Sequence, residues 1–206
     1  MFKKLQISFQ RALGIYKPKY DSIDIDKYKY KIDEEPSTTV IINSFRLLEN
    51  GTDEVKINTL LNLAHTCFLA DSDDIRIVIK HFNTIIQLLN SNNERIVKNA
   101  LKLICENSAS SNEFHSFIAD TELIEYILQL LTKTKKPKII AWVCYTLCLI
   151  VANDLNNLNK MKELHSENEN LLYNAASNEV WSHGWDNNYA KILIKLINVN
   201  RTVETS

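Results

Sequence analysis

Beyond residue 36 the apolar positions recur at a spacing that only a helix gathers onto one face, and the same run returns along the chain. Ile41-Ile42-Asn43-Ser44-Phe45-Arg46-Leu47-Leu48 aligns with Phe82-Asn83-Thr84-Ile85-Ile86-Gln87-Leu88-Leu89 and with Ile124-Glu125-Tyr126-Ile127-Leu128-Gln129-Leu130-Leu131. Apolar residues stand at i, i+4, i+6 and i+7, and serine replaces isoleucine at i+3 in the first copy only. A weaker fourth copy is Ala190 to Ile197. The pattern predicts amphipathic helices with one broad buried face, with Leu47, Leu88 and Leu130 in equivalent buried positions.

Each of the first three runs leads through a polar turn to a second apolar pattern. The turns are Glu49 to Asp53, Asn90 to Glu94 and Thr132 to Lys138, and Pro36 and Pro137 sit where a helix start tolerates proline. The second helices share a Leu-x-Leu register at Leu61/Leu63, Leu101/Leu103 and Leu147/Leu149. A helical hairpin of this size cannot bury both faces alone, so repetition implies stacking of one hairpin on the next. The stretch Ile139 to Val151 is apolar nearly all round but shorter than the roughly 20 residues a bilayer span needs, so it reads as a core helix covered from both sides. Its cover has to come from the C-terminal region, where Leu155 to Asn178 reads as a polar helix or helix pair. A corner at Trp181 to Trp185 follows, with Asp186 and Asn187 as candidate caps for a last helix. The flanking glycine and asparagines favour a buried tryptophan pair over an exposed anchor.

These patterns divide the chain into an amphipathic N-terminal helix at 1–17, a polar linker at 18–36, one helical domain at 37–198 and a tail at 199–206. Within the domain the repeats fall at about 37–71, 75–109 and 112–153, with a C-terminal cap at 155–198. Phe2, Leu5, Phe9, Ala12, Leu13 and Tyr16 share a narrow face of the first segment, with Lys3, Lys4, Arg11 and Lys17 outside it. Docking of this stripe on an open end of the repeats is the expected role. The alternatives are a mitochondrial presequence or an anionic membrane surface met through Phe2, Lys3, Lys4, Leu5, Phe9, Arg11 and Leu13.

Composition narrows the class. Three glycines and three prolines in 206 residues are too few for the turns of a β-sandwich, so the fold class is all-α. With 24 basic and 25 acidic residues the chain has no general attraction to phosphate backbones, which argues against a nucleic-acid partner. Cys67, Cys105, Cys144 and Cys148 all lie in apolar helical runs without a C-x-x-C pair, which suits buried thiols and a cytoplasmic location. Cys144 and Cys148 stand one turn apart, but no further ligand completes a metal set, and His65, His81 and His115 read as single histidines inside helices, in packing or surface positions. No phosphate loop, zincin motif or nucleophile elbow is present. The chain therefore reads as a non-enzyme with no cofactor, metal or small-molecule substrate.

The third unit carries a family resemblance. Asn112, Ile118, Ile124, Ile127, Leu128, Leu130 and Leu131, then Pro137, Ile139, Leu147 and Ile150, fall at spacings that resemble the armadillo repeat, with HEAT a close variant. The glycine that usually precedes the third helix is missing from the second and third units, so the short first helix is expected to fuse with its neighbour. Phe114-His115, Ile118-Ala119 and Leu123-Ile124 also resemble, more weakly, a stretch of VHS and ENTH adaptor domains. The armadillo resemblance implies a right-handed α-solenoid of about three repeats with helical caps at both ends, whose third helices line a groove. It implies protein binding as an adaptor or scaffold, with a membrane-associated adaptor or a regulatory subunit of an enzyme as alternatives. Counting back from Leu60, Leu101 and Leu147 puts Asn58, Asn99 and Tyr145 at the tryptophan position of the groove and Asn62, Leu103 and Leu149 at the asparagine position, in a mixed polar and apolar groove that also includes Lys102 and Trp142. Of the importin-like tryptophan and asparagine ladder only Asn62 matches, which disfavours nuclear-localisation signals as ligands.

Overall fold

A computed structural model describes residues 37–69, 72–152, 154–182 and 184–199. The expected N-terminal helix at 1–17, the linker at 18–36 and the tail beyond residue 199 lie outside them. Eleven α-helices and one 3₁₀ helix make up the secondary structure of the described residues. In chain order they are α1 Ser37–Asn50, α2 Asp53–Leu69, α3 Ser72–Lys80, α4 Phe82–Leu89, α5 Glu94–Ser110 and α6 Asn112–Ala119. There follow α7 Leu123–Lys133, α8 Pro137–Ala152, α9 Leu155–Glu167, α10 Glu169–Ala176, the 3₁₀ helix Glu179–Ser182 and α11 Tyr189–Val199.

The boundaries follow from local chemistry. Asn93 Oδ1 accepts from the Arg95 amide at 3.0 Å and Asp154 Oδ1 from the Asn157 amide at 2.8 Å, each satisfying an N–H that the first turn leaves without a helical partner. Pro137 opens α8, where its missing N–H costs nothing. The cap of α11 is Asn188, whose Oδ1 accepts from the Lys191 amide at 3.1 Å, rather than Asp186 or Asn187. At the end of α1, a side chain on Gly51 would lie 2.5 Å from the Leu47 carbonyl, so the turn closes only around glycine.

Helices of the same kind stack on one another. The long helices α2, α5, α8 and α11 pack in sequence, as do α1, α4, α7 and α10, while the short α3, α6 and α9 follow one another on a third edge. The core is continuous from Ile41, Phe45 and Leu48 of α1 to Leu193 and Ile197 of α11. One contiguous apolar cluster running through every layer is what stacking without independent hairpin cores requires.

Four expectations change. The short helices do not fuse with their neighbours: α3 is separated from α4 by His81 alone, and α5 from α6 by Ser111 alone. His81 is bent out of the helix at φ −99°, ψ 20°, with its ring stacked on Phe45 of α1, so it sits at a turn and not inside a helix. Ser111 adopts extended backbone and its Oγ accepts from the Phe114 amide at 3.2 Å, a side-chain cap that breaks the helix without glycine. Leu47 is not buried: it is 50% exposed, whereas Leu88 is 5% and Leu130 6% exposed. The stripe His81, Thr84, Leu88 faces α1, with the Thr84 hydroxyl donating to Glu49, and on α1 no described helix covers the equivalent face. Counting the short helix as the first of each unit, α1, α4 and α7 are second helices and α2, α5 and α8 third helices. The run Ala190 to Ile197 lies in α11, which packs on α8 as a third helix does, while α10 takes the second-helix place beside α7. Second and third helices carry the same 3.6-residue period, so spacing alone assigned that run to the wrong role.

Candidate protein-binding surface

α5 is enclosed by α2 on one side, α8 on the other and α4 behind. What it leaves open is a strip at i, i+3, i+7 and i+11: exposed Arg95 and half-buried Lys98, Lys102 and Glu106. At the head of the strip Arg95 pairs with Glu54 of α2 at 3.5 Å and Asn93 Nδ2 donates to Asp53 at 2.8 Å, which fixes the register of α2 against α5. On the opposite seam Lys136 pairs with Glu94 at 3.1 Å. Lys102 Nζ stands 5.3 Å from the centroid of the Trp142 ring on α8, close enough for attraction to the ring face.

α8 itself offers little surface. From Ile139 to Val151 every residue but Trp142 is buried, and the cover comes from the C-terminal region, by way of α11, α9, the 3₁₀ helix and the connection that follows it. Trp185 from that connection meets Trp142 edge-on at 5.5 Å and lies 5.9 Å from Tyr145, while Tyr189 meets Tyr145 at 4.8 Å. Gly184, with φ 80°, lets the backbone reverse between the 3₁₀ helix and Trp185. Trp181 donates from Nε1 to the Ala175 carbonyl at 2.8 Å. Both tryptophans are half-buried: they wedge α11 against α8 and roof the open side of α8.

The six residues singled out from sequence do not form one surface. Lys102 and Trp142 meet across the α5–α8 seam. Asn58 and Asn62 are exposed on α2, but their counterparts one layer on, Asn99 and Leu103, are buried where α5 packs on α2. Asn99, 2% exposed, and Tyr145, 5% exposed, are therefore packing residues and not groove residues. Asn58 and Asn62 belong to the open edge at the α1–α2 end. The sequence reading missed Arg95, Lys98 and Glu106; their stripe spacing was visible, and what was lacking was which flank of the helix the neighbours would cover.

The thiols of α5 and α8 are buried and held protonated. Burial pushes the Cys144 thiol up to about 12, and those of Cys105 and Cys148 also far above their ordinary value. Cys105 Sγ lies 3.1 Å from the Thr146 hydroxyl, and Cys148 donates to the Tyr189 carbonyl at 3.2 Å. Among the described residues no three histidine, cysteine or acidic side chains gather as a metal set, and no helix is long and apolar enough to cross a membrane.

No family model matches this chain, and no curated protein sequence matches it significantly. A search of solved structures finds a computationally designed armadillo repeat protein made for modular peptide recognition, with a TM-score of 0.60 and 19% sequence identity. The match covers 75% of this chain and 63% of the designed one, so this chain spans under two thirds of that protein's length. At that identity the likeness concerns the fold, and it agrees with the ladder of stacked helices read from the packing. The chain is an all-α superhelix of armadillo-like helical repeats.

Proposed function

We propose that this chain is a non-catalytic protein-binding module, an adaptor or scaffold that holds a peptide or helix along α5. The observation that carries this reading is the open strip Arg95, Lys98, Lys102 and Glu106 running beside the half-buried Trp142 on an otherwise enclosed helix. A mixed charged and aromatic strip supplies what such partners need: an apolar anchor, and charged groups to orient it. The designed neighbour's peptide-recognition role supports the same class of partner. Four cysteines, all buried and none in a disulfide, support action in a reducing compartment such as the cytoplasm.

The test is comparative co-purification from the native cell with quantitative mass spectrometry, using wild type and Lys98→Glu/Lys102→Glu. Both lysines are half-buried and Lys102 lies against the Trp142 ring, so the double variant is first shown to be folded by circular dichroism; it should then lose the enriched partner. Retention of every wild-type partner by a folded double variant would overturn the assignment.

A further inference from the structure

Among the described residues, no helix covers the face of α1 and α2 that looks away from α4 and α5. Along each second helix the residues at the Leu47 position meet the preceding layer: Leu88 is 5% and Leu130 6% exposed, against 50% for Leu47. Along the third helices the same holds: Ile96 is buried against α2 at 1% exposure, while its counterpart Val55 is 37% exposed. Val40, about two turns before Leu47 on the same stripe, completes the patch, and the Val55 side chain and the Leu47 carbonyl both border the space a Cβ on Gly51 would take. The rim is Asn43, Asn58 and Asn62, all exposed amides without charge. Val40, Leu47 and Val55 thus stand apolar where every other layer has a neighbour.

We propose that residues 2–16 of this same chain fill that seat as an amphipathic helix, its stripe Phe2, Leu5, Phe9, Leu13 and Tyr16 laid on Val40, Leu47 and Val55. Those residues lie outside the described ones, and three features of the chain select them over other occupants. The stripe is narrow, which suits a single apolar seat with a polar amide rim. Lys3, Lys4, Arg11 and Lys17 fall outside it, so the charges stay in water when the stripe is covered. The roughly 20 residues between Tyr16 and α1 reach at most about 66 Å, against a length of about 21 Å for α1, so the segment reaches any part of the face without strain. Intramolecular docking also proceeds at the high effective concentration that a short linker provides.

Hydrogen exchange on the full chain tests this against a variant lacking residues 1–17. Docking predicts that amides of α1 from Val40 to Asn50 exchange severalfold faster after truncation, and that a synthetic peptide of residues 1–17 added in trans restores them, while one with Phe9→Ser and Leu13→Ser does not. Should truncation prevent folding, Phe9→Ser/Leu13→Ser in the full chain makes the same comparison. Leu47→Glu should accelerate α1 exchange in the full chain and lower its melting temperature by about 2–4 °C. Combined with Phe9→Ser/Leu13→Ser it should add little, since residues in contact are not additive. Three results overturn the proposal. One is α1 exchange that truncation leaves unchanged. Another is a dimer, seen by sedimentation, that Leu47→Glu dissolves and truncation does not, which would give the seat to a second copy. The third is a segment that floats with phosphatidylglycerol vesicles while α1 exchange stays as in the truncated chain.

Discussion

The imidazole of His81 lies flat on the ring of Phe45, with centroids 4.5 Å apart and planes within 10° of parallel, so the turn between α3 and α4 is pinned to the helix of the layer before it. Each layer is positioned by its predecessor in this way, which is why a fully buried residue of α1 supports more than its own hairpin. Phe45→Ala removes both the core ring and the stacking platform, and should cost about 3–5 kcal/mol. Urea denaturation followed by circular dichroism checks it. A midpoint within error of wild type would mean that the first layer melts independently of the rest.

Two asparagines at the same position in successive layers have opposite surroundings. Asn58 is exposed on α2, and Asn99 is buried on α5, where no partner for its Oδ1 lies within hydrogen-bonding distance among the described residues. Asn58→Asp should change stability by no more than about 0.5 kcal/mol. Asn99→Asp places a carboxylate where water is excluded and should cost at least about 3 kcal/mol. Equal costs in thermal melts of the two variants would show that α2 and α5 are not stacked as described.

That pair also marks what the sequence can and cannot disclose. The runs ending at Leu48, Leu89 and Leu131 were legible because a 3.6-residue period survives in any one helix regardless of its neighbours. The enclosure of Ile139 to Val151 was legible for the same reason, since a helix apolar all round must be covered. Exposure of Leu47 against burial of Leu88 was not, because it depends on place in the stack and not on residue type. The break at His81 was invisible too, since it carries neither glycine nor proline and depends on the Phe45 ring of another helix, whereas the break at Ser111 falls between the repeats read at 75–109 and 112–153 and is made by a local cap on the Phe114 amide. The strip on α5 needed the identity of both flanking helices before its open side was defined.

Acid should weaken the middle of the stack through His115. This histidine, on α6, bonds through Nε2 to the Ser108 carbonyl at 2.7 Å, and its own carbonyl accepts from Asn157 Nδ2 at 3.1 Å. Burial lowers its pKa below the ordinary value, an effect that the Ser108 and Ile150 carbonyls and the charge of Asp154 oppose without reversing. The folded state therefore binds less proton than the unfolded state once the pH falls below the unfolded value of about 6.5, and stability drops from there down to the folded pKa. Above that value the contribution is complete. Stability measured between about pH 7.5 and pH 5 should fall less steeply in His115→Gln than in wild type. A slope unchanged by the substitution would remove His115 from the account.

The four thiols should be silent in the native state. All are buried, and those of Cys105, Cys144 and Cys148 are held as neutral thiols far above their usual ionisation range by the loss of solvent. Because the thiolate is the reactive species, Ellman's reagent at pH 8 should label less than one thiol per native chain within minutes and all four after denaturation in guanidinium. Rapid labelling of two or more in the native chain would contradict the packing of α8.

The connection from the 3₁₀ helix to α11 decides how much of α8 a partner can reach. Trp185 stands edge-on to Trp142 at 5.5 Å and 6.1 Å from Trp181, and it hangs from a backbone that reverses at Gly184. Its ring packs on Trp142 from the connection and not from a long helix, so removing it should open the aromatic seam without breaking the ladder of long helices. Trp185→Ala should cost about 1–3 kcal/mol, less than a fully buried tryptophan, because Trp185 is itself only half-buried. In a Trp181→Phe background, which leaves Trp142 as the remaining indole once Trp185 is replaced, acrylamide should quench Trp142 fluorescence more strongly and the emission should shift to the red. The Lys102 ammonium over the same ring supplies a second readout: Lys102→Met should alter Trp142 emission in the Trp185→Ala background, since it removes a cation from a face that stays covered. Quenching equal to that of a Trp181→Phe chain retaining Trp185, after correction for the second indole, would show that the connection does not shield Trp142, and that the aromatic end of the strip is open to a partner without rearrangement.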